Sequence, residues 1–595
     1  MNRLPVGKIL VSTVLTVGMP ALTACTDNNY DLDDIDVTVG IGNGELSIPT
    51  SSTTVIKLGE VLDLEDGGDV VEAADGTYMF NKKGNDVSPT TTTIEKVTVK
   101  KASTESFDFV IDLTSAAMAK VRSSVALSKE MVVGSFKYNA TLPNEVVELK
   151  DASLSSKMSI DFSFNGNMSR LVKNVNSLSL EFPSYMEFEV ASCSTAYKKD
   201  GNKITMPNVS TAKAHSLVVS INRLNFGQGG NELGSLTAND GKVNMTGNIK
   251  MGVDIDGEID LTETADPKNC MVSNTISFVD DMVLDKVTGR FDPTIAPFNV
   301  GTIKVTGIPD FLNEDGVKID IENPQIQIDF ASDLTIPGKV KGTFNYTRKG
   351  QKGKIELKEE MTVLPATDGR KTTRICICRD KAKLESPESY DQIIEDDNIK
   401  DLFYPTVIDE VSFDATARAD EAVACPFELG RKYTIQPEYE VFAPLAFGKE
   451  ANIVYVESFD NWNDDVSDFD MNDGGYILMT ANVENKLPVY LNVEAKAVGL
   501  NGVDMSSDVK VEVTGEVKAC TDGKSATVSP ITVKLTPKKG ALKNLDGLKL
   551  TISGSAKSAA EGAVVTGIPL NAKTHTLVAK DIQIKIVGTV IADLN

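Results

Sequence analysis

The chain has 595 residues, 85 Asp and Glu against 60 Lys and Arg, a formal net charge of -25 and a single Trp. So acidic a body repels nucleic acid and anionic headgroups, which excludes nucleic acid as a partner. The length exceeds what one hydrophobic core organises, so several domains are expected.

Arg3 and Lys8 precede a run from Ile9 to Ala24 that is mostly apolar or small and contains no acid. That is the pattern of a secretory signal, too short for a comfortable membrane span. Its last residues, Leu22-Thr23-Ala24-Cys25, resemble the lipobox of bacterial lipoproteins. In that family the cysteine thiol receives a diacylglyceryl group, the signal is cut before it, and the new amino terminus is usually acylated. The resemblance implies lipidation at Cys25 and removal of residues 1–24, which leaves 571 residues and, without Arg3 and Lys8, a charge of -27. Each buried CH₂ contributes about 0.8 kcal/mol, so two or three acyl chains hold where one would not.

Asp27, Asp31, Asp33, Asp34 and Asp36 follow and cannot pack into a core, so residues 25–60 are expected to be an acidic tether and an N-terminal hairpin turning at Asn43-Gly44. Acids just after a lipidated cysteine resemble the surface-export signal of Bacteroidota lipoproteins, although Thr26 takes the first position and Asn28, Asn29 and Tyr30 interrupt the run. The resemblance covers roughly the first tenth of the chain. It implies an outer-membrane location through the lipid anchor and display on the cell surface, with the periplasmic face as the alternative. It implies no activity.

Period-two alternation dominates the rest. Val243, Met245, Ile249, Met251, Val253 and Ile255 share one parity, while Asn244, Thr246, Lys250, Asp254 and Asp256 take the other. The same pattern recurs at Met158-Ile160-Phe162-Phe164, Leu491-Val493-Ala495-Ala497 and Ile582-Ile584-Ile586. One apolar and one wet face is the signature of antiparallel sheets. The expected fold is all-β: tandem antiparallel sandwich-like modules with few short helices, residues 113–127 and 390–402 being the best helix candidates. Glycines fall on the buried parity at Gly257, Gly342, Gly515, Gly554 and Gly588. They predict bends, either sandwich corners or a strongly curled half-barrel.

Internal echoes join "VTGIP" at 305–309 to 565–569 and "AKAHSLV" at 212–218 to "AKTHTLV" at 572–578. With the glycine-rich 225–234 and the charged run 348–360 as breaks, they suggest modules at 61–230, 231–364 and 476–595. The irregular, acidic 365–475 lies between as an insertion or small domain.

Chemistry is sparse. The two histidines, His215 and His575, occupy the same place in the repeated element, which marks structural members rather than a catalytic base. Sugar-cleaving carboxylate pairs usually work beside stacking aromatics, and one Trp argues against them, so no enzyme is expected. Cys193, Cys270, Cys376, Cys378, Cys425 and Cys520 give no zinc spacing and no disulfide framework; buried thiols or one or two disulfides are expected, with Cys376 and Cys378 poorly placed to pair with each other. In the acidic stretch 457–475, Asp468, Asp470 and Asn472 match the first ligand positions of an EF-hand, but Asp473 stands where glycine is required. The loop is therefore a solvated surface or a site for Ca²⁺ of another kind, with Trp462 as a candidate sugar platform. The functional expectation is a non-enzymatic adhesion or binding protein with a glycan or protein ligand. A glycan-binding accessory lipoprotein of a saccharide-uptake system and a carrier of an apolar ligand in a curled sheet are the alternatives. The C-terminal run 582–594 either completes its own sheet or is exchanged with a partner.

Overall fold

The computed structural model describes residues 38–593, apart from 50–54, 63, 65–66, 85–86, 102–103, 115–121, 229, 261–265, 308–315, 368 and 468. The described chain is all-β. Its sheets are antiparallel throughout, save for one parallel pair between Lys371–Cys378 and Gln392–Glu395.

Two sheets form the first sandwich. One runs Met186–Cys193, His215–Asn225, Val146–Gly166, Cys270–Phe278, Glu105–Val110. The other centres on the pair Arg122–Thr141 and Lys242–Asp260. Alternate residues point inward and meet across the gap: Phe278 of one sheet packs edge-on against Phe136 and Tyr138 of the other, ring centroids 5.4 and 5.0 Å apart. A second pair of sheets, centred on Gln325–Ser332 and on Gly338–Arg348, continues the same core, which runs unbroken from Val70 to Ala443.

Several expectations are corrected here. Residues 122–127 lie in a strand, not a helix, and 390–402 splits into the strand Gln392–Glu395 and the 3₁₀ turn Asp397–Leu402. Thr38–Pro49 is one strand with a bulge between Ile41 and Gly44, not a hairpin, because its whole length pairs with the C-terminal strand. The breaks at 230/231 and 364/365 do not divide the core. Lys242–Asp260 pairs back with Arg122–Thr141 and Asn174–Glu181, and Gln325–Ser332 pairs forward with Lys371–Cys378 and Tyr433–Pro444. A glycine-rich or charged stretch marks a tight turn as readily as a domain edge: Lys349 and Gly350, both at positive φ, simply close a hairpin.

The chain's last part, together with Thr38–Pro49, forms a further pair of sheets. One sheet has the order Thr38–Pro49, Thr576–Asp593, Tyr476–Asn485, Thr527–Pro537, Val509–Thr514; the facing one has Asn452–Phe459, Leu545–Ser555, Tyr490–Gly499. The bridge Leu491–Val517 joins them along one side. Among the described residues no strand pair joins Thr38–Pro49 to Asn452–Phe459, so the sheet curls into a half-barrel that stays open there. Thr576–Asp593 lies inside this sheet and completes its own fold.

Two glycines make the curl possible. Gly515 (φ 106°) and Gly588 (φ 125°) occupy backbone conformations that a side chain rarely adopts. A Cβ there would stand 2.4 Å from the Pro530 carbonyl oxygen and 2.9 Å from Gly475 Cα, respectively. Asp581, at φ 51°, adds a bulge where the register shifts between Thr480 and Asn482, and Asn482 Nδ2 donates to its carboxylate at 3.0 Å. The bulge reverses the strand's parity, so Ala579 and Ile582, three positions apart, both face the interior.

Candidate functional site

In the first sandwich the inward residues are sealed: Met158, Ile160, Val272, Ile249 and Met251 are essentially unexposed. The half-barrel differs. Met479, Ala481, Val483, Val493, Ile531, Val533, Leu550 and Ile552 sit on inward parities yet remain only half-buried. They line an apolar cavity together with Ile56, Leu577 and Ile582. Its volume is about 170 Å³, and the space between the sheets reaches about 1070 Å³ when the open mouth is included. An apolar cavity of ~150 Å³ is known to stay dry and to take up benzene, so this one exceeds a packing defect.

The two ends of the half-barrel are packed and the middle is not. At one end Trp462, Met471, Met505, Leu535, Leu542 and Leu545 form a cluster. At the other, Tyr78, Phe447, Leu491, Val517 and Leu570 form a second one, which joins the half-barrel to the 70–444 body. That joint is reinforced by the bridges Thr77–Asn571 and Ile321–Phe447, and by Asp320, whose carboxylate accepts from Arg379 Nη1 at 2.9 Å and from the Glu450 amide at 3.1 Å.

Thr480 alone of the described lining residues carries a polar side chain, and none is titratable. The cavity therefore offers no acid, base or nucleophile. It offers only the removal of hydrocarbon from water, at roughly 25 cal/mol per Å² of apolar surface buried.

The residues singled out in the sequence lie elsewhere. Cys25 and Asp468 are outside the described residues. Asp470 Oδ1 accepts from the amides of Gly540 at 2.6 Å and Met471 at 2.8 Å, and Asp473 accepts from the Lys539 amide at 3.3 Å. These acids tie the stretch to the 538–544 turn. Among the described residues no group of three acidic, His or Cys side chains is placed to hold a metal ion. Trp462 is 7% exposed and belongs to the end cluster, so it is a core residue rather than a sugar platform.

Both histidines are buried at the start of a long strand. His215 stacks on Phe162 at 5.3 Å, and its Nε2 lies 2.7 Å from the Ser210 carbonyl. His575 Nδ1 accepts from the Asn571 amide at 3.1 Å, and burial holds its pKa below the usual histidine value. The repeated element thus has the same local build twice: a ring bonded to backbone four or five residues upstream.

All six described cysteines are unpaired, five of them buried. Burial pushes the Cys270 and Cys425 thiols up to about 11. The Cys376 thiol is raised by the hydrogen bond it shares with Cys378 and by burial under Leu384 and Tyr390. Such thiols are unreactive at neutral pH.

The cavity-lining side chains alternate just as those of a packed strand do, so their spacing carries no mark of the cavity. A compositional signal was present: residues 476–595 contain no Phe and no Trp, although the chain holds 22 Phe.

No family model matches the chain and no curated protein matches it. A solved structure that it resembles is a "putative secreted protein" from Parabacteroides distasonis. The two share 14% sequence identity and a TM-score of 0.31, over 51% of this chain and 82% of that one.

Proposed function

We propose that the protein is a lipid-anchored protein of the outer membrane, on its outward face, that binds the hydrocarbon part of an apolar ligand in its C-terminal half-barrel. The observation that carries the binding half of this reading is the set of inward Val, Leu, Ile, Met and Ala side chains left half-exposed around a cavity with no charged group. Leaving that much apolar surface uncovered is unfavourable, and a ligand chain is what would cover it. A polar headgroup has no partner inside and stays at the mouth. Adhesion through the outer faces of the sheets is the second reading; the burial of Trp462 weighs against a glycan platform.

Two measurements test this. Purified protein is extracted with organic solvent and titrated with a fluorescent fatty-acid analogue; a stoichiometric co-purifying lipid or saturable uptake is expected, and neither appearing overturns the ligand. For the anchor, Cys25→Ser abolishes labelling by a clickable fatty acid and releases the chain from membranes, whereas persistent labelling refutes lipidation at that residue.

A further inference from the structure

The half-barrel has two unlike ends: the described chain begins at one, and the 70–444 body joins the other. Thr38 pairs with Asp593 and Ile41 with Val590, so the described chain begins beside the last residues of the C-terminal strand. Phe469–Met471 pairs with the same stretch, Val590 to Ala592. Asp470 in turn accepts the Gly540 amide of the turn that leads into Leu545–Ser555, and Leu545 lies opposite Gly499. Through these pairings the loop 499–504 stands at the end where Thr38 emerges. The 70–444 body joins the opposite end, through Thr77 to Asn571 and Tyr78 to Leu570.

At the free end the loop 499–504 is closed by the Gly499 amide donating to the Val503 carbonyl, and it turns on Asn501 (φ 61°) and Gly502 (φ 74°). It presents Leu500, 49% exposed, and Val503, 61% exposed, outward from its tip. Single exposed aliphatics are ordinary. Two on one tight loop, at the end from which the tether runs, are placed to meet a surface. Lys538, Lys539 and Lys543 stand beside Asp504 and Asp508, and Asp470 and Asp473 hold the same turn, so charge does not draw this end to an anionic surface and the apolar pair would supply the contact.

We infer that this end faces the lipid bilayer and that Leu500 and Val503 dip into its interface. The inference rests on lipidation at Cys25. Twelve residues separate Cys25 from Thr38, and the thirteen steps between them reach about 43 Å at most at ~3.3 Å per residue. The C-terminal strand has 18 residues, about 55 Å at ~3.3 Å per residue, before the attached body adds more. Inverted, with the body against the membrane, the molecule would hold Thr38 farther away than a taut tether can reach. Inversion is therefore ruled out, and the free end is the one the tether allows to reach the lipid.

The test uses the full lipidated chain in vesicles containing brominated acyl chains, with Val503→Trp and, as the opposite-end control, Val528→Trp. Val528 is 57% exposed and pairs with Glu484, at the body end. Fluorescence is read after subtracting the Trp462 signal of the parent chain. The expected result is flotation of all three proteins, with severalfold stronger quenching at 503 than at 528. Flotation without quenching at 503, or with equal quenching at both positions, overturns the orientation while leaving the anchor intact. Failure to float overturns the anchor and the orientation together.

Discussion

Val493 provides a decisive test of whether the half-barrel interior is a cavity or a core. It pairs with Ile552, lines the cavity and is half-buried. Val493→Phe adds about four carbons; at ~0.8 kcal/mol per buried CH₂-equivalent, filling empty space contributes at most about 3 kcal/mol. Forcing the same ring into close-packed surroundings costs typically ~1–3 kcal/mol instead. The two cases differ in sign. Trp462, the single indole of the chain, sits in the half-barrel's own end cluster, so urea unfolding followed by its fluorescence reports on this unit. The expected outcome is an unfolding midpoint equal to or above the parent's, together with a loss of fatty-acid analogue binding of at least tenfold. A destabilisation of 1–3 kcal/mol with binding unchanged would refute the reasoning, because it would mean a packed core and a ligand held elsewhere.

His575 is buried neutral, accepting the Asn571 amide, and its pKa is lowered in the fold. The unfolded chain thus binds the proton more readily, so the stability this group provides is present above its ordinary pKa of about 6.5 and is lost as pH falls from there towards the folded value; His575→Gln should flatten that acid limb of the melting curve, and an unchanged limb would show the acid sensitivity arises elsewhere. Asp470→Ala leaves the Gly540 and Met471 amides without an acceptor and should cost about 1–3 kcal/mol, while melting in EDTA, Ca²⁺ and Mg²⁺ should agree; stabilisation by Ca²⁺ alone would restore an ion site to the loop. The five buried thiols should resist an aqueous disulfide reagent until unfolding, whereas the partly exposed Cys193 should react in the folded protein, and reduction should leave the melting temperature unchanged.

Alternation reveals which residues share a face, and for the strands it served well: Met158, Ile160, Phe162 and Phe164 are all buried as their spacing requires. It cannot reveal what that face meets. The Arg122–Thr141 strand opens with small and aliphatic residues such as Val125, Ala126 and Leu127 that suit a helix until a partner strand overrides local preference, and that partner lies more than a hundred residues away. The module breaks failed for a related reason: pairing between 325–332 and 433–444 depends on tertiary contacts that no local composition encodes.

The half-barrel is where this limit bears on function. Met479, Ala481 and Val483 read like any core strand, and only the distance to Leu550 and Ile552 across the interior separates a cavity from a sandwich. Facing sheets pack about 10 Å apart only if inward side chains fill the space between them. In the body, aromatic rings help fill it: Phe136 with Phe278, Phe298 with Phe330, Phe344 with Phe413. Beyond residue 475 the large rings available are those of Tyr476 and Tyr490, and neither lines the cavity. Curled by Gly515 and Gly588, and lined by Ala, Val, Ile, Leu and Met with Thr480, the sheets enclose more volume than their lining side chains occupy. The inward glycines and the missing aromatics were both legible in the sequence. Taken together rather than separately, they point to a bent sheet whose inward side chains leave space between the layers.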